Sequence, residues 1–476
     1  MVCSIILSCE SSRAQPAVSG ARPHPHATHE VVRLTADSVP EPAAPPDPAP
    51  GAVGSGPGRA SQARPKIFLH IGEPKTGTTF LQRVMWRNRA ELAARGVVLP
   101  GHHPQDHFRA SQDLRGIAKL ASDPAGSWTG EWEILAHQAR QAGQVAVISH
   151  ELFSAADEEQ ADRAVWSLLP AEVHVVLTVR DIATLLPAEW QETVKHRNTR
   201  DWEDWLADVI DRESPDPGRR QFWFWRVHGT MAILDIWSRH LPPEHVHVIT
   251  TPPRGSDSGL LWQRFASLLG IDPGSVDLSR ARPNASLGMP EIEFLRRLNQ
   301  ALPDEVPDWF YMWNVKEAVA HQALAARPRD GHLLLPASRD AWAKGHAEEL
   351  VAALSGSGYD IVGDLDELRP LPGAGPAASA AGQPADRVLD AAVAAASALV
   401  VSQYRKAYPA AKPQRDAGQR GLASRVEATV ASSPRLKRTV RELSSRSSAV
   451  RRLRILAWRA LERGRAQDHP RPPERP

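Results

Sequence analysis

Short apolar runs alternate with amphipathic stretches through the middle of this 476-residue chain. The runs are nearly continuous in apolar residues, which is typical of strands buried on both faces of a parallel sheet. They cover residues 67–71, 145–148, 173–179 and 246–250. In the stretches between and after them, apolar residues recur at helical spacing. The helices so predicted cover residues 78–95, 157–168, 187–211, 226–240, 258–269, 290–301 and 337–355, the last with Ser338 as its N-cap.

Strands that alternate with helices predict an α/β fold, with a parallel sheet covered by helices on both faces. Residues 1–64 are rich in Pro, Ala, Gly and Ser and lack an apolar period, so they are predicted to be disordered. The folded body is expected over 65–369, followed by a Pro/Gly/Ala-rich linker over 370–385 and a basic, partly helical tail over 386–476.

The net charge is unevenly distributed along the chain. Residues 401–476 carry 19 Lys/Arg and 6 Asp/Glu, whereas the whole chain has a formal net charge of only +2, so the body is acidic. The tail is predicted to form helices over 386–407 and 447–465, and the second is amphipathic and basic. It could lie on an anionic membrane or bind an acidic partner. A solubilising tail is the alternative, and nucleic acid is not expected as a partner.

A glycine-rich turn joins the first predicted strand to the first predicted helix. The segment from Gly72 to Thr79 reads Gly-Glu-Pro-Lys-Thr-Gly-Thr-Thr and is called the glycine loop here. A strand, a glycine loop and a helix form the arrangement that cradles phosphate, because loop amides and the positive helix N-terminus point at one anionic site. The alternative is a turn whose glycines only permit tight packing.

The glycine loop departs from the nucleotide-triphosphatase pattern G-x-x-x-x-G-K-[ST] at one position. Gly72, Gly77 and Thr79 match that pattern, but position 78 is Thr and the loop's lysine is Lys75. The string from Pro74 to Thr79 resembles the 5′-phosphosulfate loop of sulfotransferases that use 3′-phosphoadenosine 5′-phosphosulfate (PAPS). The resemblance implies that Lys75 contacts the oxygen bridging sulfur and phosphorus. It also implies that the amides and hydroxyls of Thr76, Gly77, Thr78 and Thr79 hold the 5′-phosphate.

Arg180 follows the third predicted strand and opens a helix. In PAPS enzymes, an arginine at this place binds the 3′-phosphate, usually with a serine eight residues later. Here position 188 is Ala, so another donor is needed, for which Gln191 is the candidate. An arginine fork suits a phosphate dianion because it meets two oxygens with paired hydrogen bonds. The alternative is a surface pair between Arg180 and Asp181.

His150 and Glu151 follow the second predicted strand, and either could act as a general base. Many carbohydrate sulfotransferases, which the chain resembles, place a glutamate at the end of such a strand. Glu151 is therefore the first candidate for the base that deprotonates an acceptor, and His150 the second. The alternative is that Glu151 caps the next helix and His150 packs against the sheet.

The resemblance implies a PAPS-dependent sulfotransferase that acts on a hydroxyl or amine of a carbohydrate, lipid or metabolite. An ATP-dependent kinase or P-loop triphosphatase, and a non-catalytic nucleotide- or membrane-binding protein, remain alternatives. No metal is required by these residues, and no Cys/His spacing suggests zinc. No run approaches the ~20 apolar residues of a membrane span. With two cysteines, both near the N-terminus, the chain is expected in the reducing cytoplasm, where the tail could make peripheral membrane contact.

Overall fold

The computed structural model of the protein describes residues 64–117, 128–210, 221–280, 287–328, 333–371 and 383–407. The predicted disordered segment lies outside these ranges up to residue 63, and so does the predicted basic helix over 447–465. Most of the predicted linker, residues 372–382, lies outside them as well.

A six-stranded sheet, parallel at every pairing, forms the centre of the fold. The order along the sheet is β2-β3-β1-β4-β5-β6. The strands are β1 Lys66–Gly72, β2 Val97–Val98, β3 Val145–Ser149, β4 Glu172–Val179, β5 Val246–Thr250 and β6 Asp360–Val362. The four strands predicted from apolar runs, and the α/β class with them, are confirmed. The strands β2 and β6 have only two and three residues, which is too short to give a pattern.

Helices cover both faces of the sheet. The α-helices of the described residues are α1 Thr78–Arg87, α2 Arg89–Ala93, α3 Pro104–Leu114, α4 Glu131–Arg140, α5 Glu158–Leu168, α6 Ile182–Lys195, α7 Trp202–Ile210, α8 Gln221–His228, α9 Thr230–Ser238, α10 Leu260–Leu268, α11 Met289–Ala301, α12 Asp308–Tyr311, α13 Asp340–Gly356 and α14 Ala385–Ala407. A helix of π type, Met312–Ala323, continues α12. Short 3₁₀ turns include Glu151–Ala155 after β3 and Pro243–His245 before β5.

Several predicted helices are broken or shifted where the chain turns. The helix predicted over 187–211 is α6 and α7, because Arg197 adopts a left-handed φ of 71° just after α6. The helix predicted over 226–240 is likewise divided at Gly229. The helix predicted over 78–95 is divided at Asn88, whose side chain bonds to the carbonyl of Val84. Ser338 is not the cap of α13, which begins at Asp340 after a 3₁₀ turn that contains the serine.

The strands are apolar on both sides, as a doubly covered parallel sheet requires. Along β1, Ile67, Leu69 and Ile71 face one buried cluster with α4, α5 and α9. Phe68 points to the opposite face and joins the cluster formed with α1 and α10. This alternation follows from the period-2 geometry of a strand.

A separate core of helices packs beside the sheet. It joins α6, α7 and α11 to the π-type helix and α14. The helix predicted over 386–407 is confirmed as α14, and Ala391 and Ala395 bury its inner face in this core. The sequence predicts a tail from residue 386, whereas residues 385–407 pack on the folded body. None of the helices in the described ranges has both the length and the apolar character needed to cross a bilayer.

The strand order places β1 between β3 and β4. The connection after β1 runs towards β2 and β3, and the connection after β4 runs the opposite way, towards β5. Such a reversal opens a crevice at the carboxyl ends of the central strands. The ends of β1, β3 and β4 lie side by side, with His70 opposite Ser149 and Gly72 opposite Leu177. The residues that follow these three strands are thus brought to one edge of the sheet.

Candidate active site

The glycine loop occupies this crevice and leads directly into α1. Gly77 is the N-cap of α1 with a left-handed φ of 93°, and a Cβ at that position would collide with the side chain of Leu261. A residue other than glycine would therefore be strained and overlapped. No side chain caps α1, so its first amides are directed at the crevice without a partner from the cap residue. This is the arrangement that binds anions at helix N-termini.

Thr76 fastens the glycine loop to the sheet. Its hydroxyl lies 2.5 Å from the carbonyl oxygen of Glu73 and 2.5 Å from the hydroxyl of Thr178 on β4. Thr251, just after β5, donates to the carbonyl of Thr76 at 2.9 Å. Thr76 is fully buried, and its hydroxyl is engaged in these contacts within the protein. The hydroxyl of Thr79 lies on a half-buried side chain, while Thr78 is buried.

Lys75 has an unusual backbone and a defined side-chain position. Its φ is 62°, in the left-handed region that residues with a Cβ seldom adopt. Its ammonium group lies 2.7 Å from the carboxylate of Glu192 on α6, and its side chain is about a quarter exposed. Arg180 donates to the Lys75 carbonyl at 3.2 Å. Lys75 and Arg180, the two cations that the sequence implicates, thus contact each other.

Glu192 is the centre of a group of cations, called the Glu192 cluster here. Besides Lys75, its carboxylate contacts Lys316 of the π-type helix at 2.7 Å and Lys195 at 3.4 Å. His196 lies 3.2 Å from the same carboxylate. Lys195, Lys316 and His196 are buried. Three ammonium groups share one carboxylate, so the cluster has an excess of positive charge beside the glycine loop.

The pKa values of the cluster reflect burial opposed by charge. Burial by itself would raise the pKa of Glu192, but the three lysines hold it well below its usual value. Burial lowers the pKa of Lys316 to about 8, although Glu192 opposes the shift. Burial also lowers the pKa of His196, to about 4, so its ring is neutral at pH 7. The carboxylate therefore stays ionised and holds the lysines in position.

The guanidinium group of Arg180 contains a buried nitrogen, Nε. Among the described residues, its buried Nε has no hydrogen-bond partner. Burial is the main influence on Arg180 and lowers the pKa of its guanidinium, while Asp181 opposes this. A buried, unsatisfied donor on a cation is costly unless a ligand accepts from it. Gln191 lies one residue before Glu192 on α6 and is half-buried, and Ala188 occupies the position at which the sequence resemblance implies a serine.

His150 and Glu151 have different surroundings. The ring of His150 accepts a hydrogen bond from the amide of Leu152 at 3.2 Å, so it caps the 3₁₀ turn, and burial lowers its pKa. Glu151 receives a hydrogen bond from Gln82 of α1 at 2.9 Å. The carbonyl of Glu151 also lies 3.0 Å from the place of a Cβ on Gly72. Glu151 is thereby held against the glycine loop, while His150 packs beside Phe108 at 5.4 Å between ring centroids.

A second buried charged group lies beneath the loop. His228 is enclosed between Glu73 of the loop and Glu189 of α6, at 3.6 Å from each carboxylate. Burial would lower the pKa of His228, but the two carboxylates prevail and raise it to about 9. Thr230 donates to Glu73 at 2.6 Å. The glycine loop is thus linked through Glu73 to the His228 imidazolium, which also contacts Glu189.

Sequence reasoning overlooked Glu73, Glu189, Glu192, His228 and Lys316. A partial signal is present in α6, where Glu189, Glu192 and Lys195 recur every three residues and so share one helical face. The partners of that face are not visible in sequence. His228 lies 39 residues from Glu189 and 155 from Glu73, and Lys316 lies 124 residues from Glu192.

Comparison with known proteins found one similar solved structure. No family model matches the chain, and no curated protein matches it. One solved structure, a sulfotransferase from Alicyclobacillus acidocaldarius, is similar at 17% identity and a TM-score of 0.31. The similarity covers 50% of this chain and 93% of that one. At these values it does not establish a family, and the function must be argued from the residues.

Proposed function

We propose that the protein is a PAPS-dependent sulfotransferase. The observation that carries the proposal is the glycine loop, which combines an uncapped helix N-terminus at Thr78 with a lysine inside the loop, at position 75. A triphosphatase of this fold needs a lysine at position 78, where this chain has threonine. The loop is thus equipped to hold one phosphate-like group and to direct an ammonium group at an oxygen attached to it.

PAPS supplies a sulfuryl group whose bond to the phosphate oxygen breaks as an acceptor oxygen or nitrogen bonds to sulfur. The ammonium group of Lys75 neutralises the charge that develops on the leaving oxygen. In the structure this group is held by Glu192, which limits its rotamers before a ligand arrives. No metal ion is required for this charge neutralisation.

Arg180 suits the 3′-phosphate for a separate reason. Its Nε is buried and unsatisfied in the described part of the chain, while its Nη1 is fixed by the Lys75 carbonyl. A dianionic phosphate would supply the missing acceptor with a charge-assisted bond. Gln191, on the half-buried face of α6, is the proposed second donor in place of the family's serine.

Glu151 is the proposed general base, and it takes the proton that the acceptor loses. Its carboxylate is held by Gln82 on the first turns of α1, next to the glycine loop. His150 remains the second candidate, but its Nδ1 is occupied by the Leu152 amide. The acceptor is a hydroxyl or amine, and the positive Glu192 cluster favours one that itself bears an anionic group.

Calorimetry with adenosine 3′,5′-bisphosphate, ADP and AMP, all without metal, tests the proposal. We expect the bisphosphate to bind at least tenfold more tightly than ADP or AMP, because only it carries a 3′-phosphate together with a 5′-phosphate. Release of the bisphosphate from PAPS then measures turnover whatever the acceptor. Tight binding of ATP that requires Mg²⁺, with no preference for the bisphosphate, would instead indicate a kinase or triphosphatase.

A further inference from the structure

Histidines and carboxylates also gather at the opposite edge of the sheet, where the strands begin. Glu172 and His174 open β4, and His245 ends the 3₁₀ turn before β5. In a parallel sheet this edge is separated from the glycine loop by the full length of β4, about 20–25 Å. The group is therefore independent of the candidate active site.

The spacing of three side chains fits the coordination of one metal ion. Nε2 of His174 lies 2.9 Å from Oε1 of Glu172, and Nε2 of His245 lies 3.8 Å from the same oxygen. One ligand atom from each residue falls within 4.8 Å of the others. Ligands at about 2.0–2.2 Å from a tetrahedral zinc ion are about 3.3–3.5 Å apart. Small side-chain movements would therefore bring these three atoms around one ion.

Two further residues extend the group in the way that metal-binding histidines require. Nδ1 of His174 lies 2.8 Å from Nε2 of His247, and Nδ1 of His247 lies 2.7 Å from the carboxylate of Asp360. A ligating histidine usually bonds through its other ring nitrogen to a partner that fixes its tautomer. In the tautomers in which Asp360 accepts from His247 and His247 accepts from His174, Nε2 of His174 keeps its lone pair, which is the form that binds a metal ion.

The rings are held rigidly enough to serve as a site. His174 stacks on Phe68 at 4.7 Å between ring centroids, and the ring of His245 lies 4.3 Å from that of His174 at a tilt of 31°. His174 and His247 are buried, whereas His245 and Glu172 are partly exposed, which leaves a path from solvent. A buried, packed ligand with a partly exposed neighbour fits an ion that enters from outside.

We propose that Glu172, His174 and His245 bind a divalent transition metal ion of the zinc class. Nitrogen and carboxylate ligands suit zinc, and three protein ligands leave a fourth position for water. His247 and Asp360 orient His174. The ion would tie the start of β4 to the turn before β5. Lys66, 3.0 Å from Glu172 and half exposed, competes with the ion and must swing away.

Zinc titration of the full chain, freed of metal by a chelator, tests this site by calorimetry. The chain has histidines elsewhere, including His24, His26 and His29, so the difference between variants is decisive. We expect one tight site in the wild type. His245→Ala and Glu172→Gln should each weaken that site by more than the roughly 10–100-fold typical of losing an outer-shell partner. Lys66→Met should strengthen it, because the competing ammonium group is gone.

His240→Ala is the matched control. His240 is a partly exposed histidine paired with Asp162 at 3.0 Å, and it is not among the three proposed ligands. It should leave the tight site unchanged. Thermal unfolding would confirm that His245→Ala and Glu172→Gln remain folded. A wild type without a tight zinc site, or the same isotherm for the wild type and both folded ligand variants, would overturn the proposal.

Discussion

Lys75 is fixed from two directions, by a left-handed backbone at φ 62° and by an ion pair with Glu192. Residues kept in sparsely populated backbone regions persist only where the surrounding structure determines them, and they concentrate at functional sites. Here the Lys75 carbonyl is also held by Arg180. At the residue scale, the proposed catalytic cation and the proposed 3′-phosphate ligand therefore support each other's position.

Lys75→Met should reduce the turnover of PAPS by about 10²-fold or more, while the affinity for adenosine 3′,5′-bisphosphate changes much less. The charge on the leaving oxygen develops mainly in the transition state, so its loss affects kcat preferentially. Bisphosphate release and calorimetry on the same variant measure the two effects. Lys344→Met, which alters an exposed lysine of α13, is the control and should behave as the wild type. Wild-type turnover by Lys75→Met would remove its catalytic role.

Glu151→Gln should lower turnover by roughly 10²–10⁴-fold with bisphosphate affinity preserved, because glutamine keeps the shape but does not accept a proton at neutral pH. His150→Asn is the companion variant, since asparagine can still cap the 3₁₀ turn. It should retain most of the activity. If His150→Asn alone is inactive, the order of the two candidates is reversed. If both variants are active, the base is another residue.

Arg180→Ala should lower the affinity for the bisphosphate by about ten- to a hundredfold and leave the affinity for AMP nearly unchanged. The two ligands differ only in the 3′-phosphate that Arg180 is proposed to bind. Ala188→Ser restores the serine that the family resemblance implies, and it should leave bisphosphate binding unchanged or tighten it. Calorimetry with both nucleotides decides. Equal losses for both ligands in Arg180→Ala would place the arginine outside the 3′-phosphate site.

At the scale of elements, α6 connects the glycine loop to the helical core. One face of this helix carries Glu189 and Glu192, which contact His228 at the end of α8 and Lys316 in the π-type helix. Its apolar face packs Leu186, Trp190 and Val194 into the core of helices. Helices of π type are often found at functional sites. The electrostatic contacts of α6 therefore join the loop to a part of the fold without strands.

Glu192→Gln should lower the free energy of unfolding by about 3–5 kcal/mol, because it leaves the buried Lys195 and Lys316 without their shared carboxylate. Lys316→Met should also destabilise the protein. The loss in free energy of unfolding for the double variant should be smaller than the sum of the losses for the two single variants, since the two residues are in contact. Urea unfolding of the four proteins measures the coupling. Additive losses would show that the ion pair does not join α6 to the π-type helix energetically.

At the scale of the whole molecule, buried histidines make the stability depend on pH in two opposite ways. His228 is charged in the folded state, because two carboxylates raise its pKa to about 9. His70 and His107 are buried and neutral, and burial lowers the pKa of each to about 4. Both kinds of shift relate folding to proton binding, with opposite signs.

The free energy of unfolding should be greatest near pH 6.5 and should fall on both sides. Above pH 6.5 the unfolded chain loses a proton that His228 keeps, which costs about 2 kcal/mol by pH 8. Above pH 8 the decline should become shallower, because folded Lys316, with its pKa lowered to about 8, loses a proton that the unfolded chain keeps. Below pH 6.5 the histidines of the unfolded chain take up protons, whereas His70 and His107 in the folded chain stay neutral until about pH 4. The free energy of unfolding therefore falls as the pH is lowered over this range. Urea unfolding between pH 5 and 9 tests this. In His228→Gln the alkaline decline should be smaller, and an unchanged decline would contradict the assignment.

Local sequence determined four of the six sheet strands, the glycine loop and the strand-end positions of Glu151 and Arg180. Period-2 burial, helical spacing and the conformational needs of Gly77 are properties of neighbouring residues, so they can be recognised without the fold. The helix breaks at Asn88 and Arg197 escaped prediction because they depend on side-chain and backbone contacts with distant segments. Asn88, for example, bonds to the carbonyl of Asp277.

Only the tertiary structure decided which charges meet. Glu192 is the partner of Lys75, 117 positions away, and His228 lies between Glu189 and Glu73, which is 155 positions away, because parallel strands and crossing helices bring distant residues together. It also decided that α14 packs on the body, since its face of Ala391, Ala395 and Leu399 is buried only where another helix offers a matching surface. Sequence periodicity fixes which face of an element is apolar, whereas the pairing of buried charges depends on the three-dimensional path of the chain.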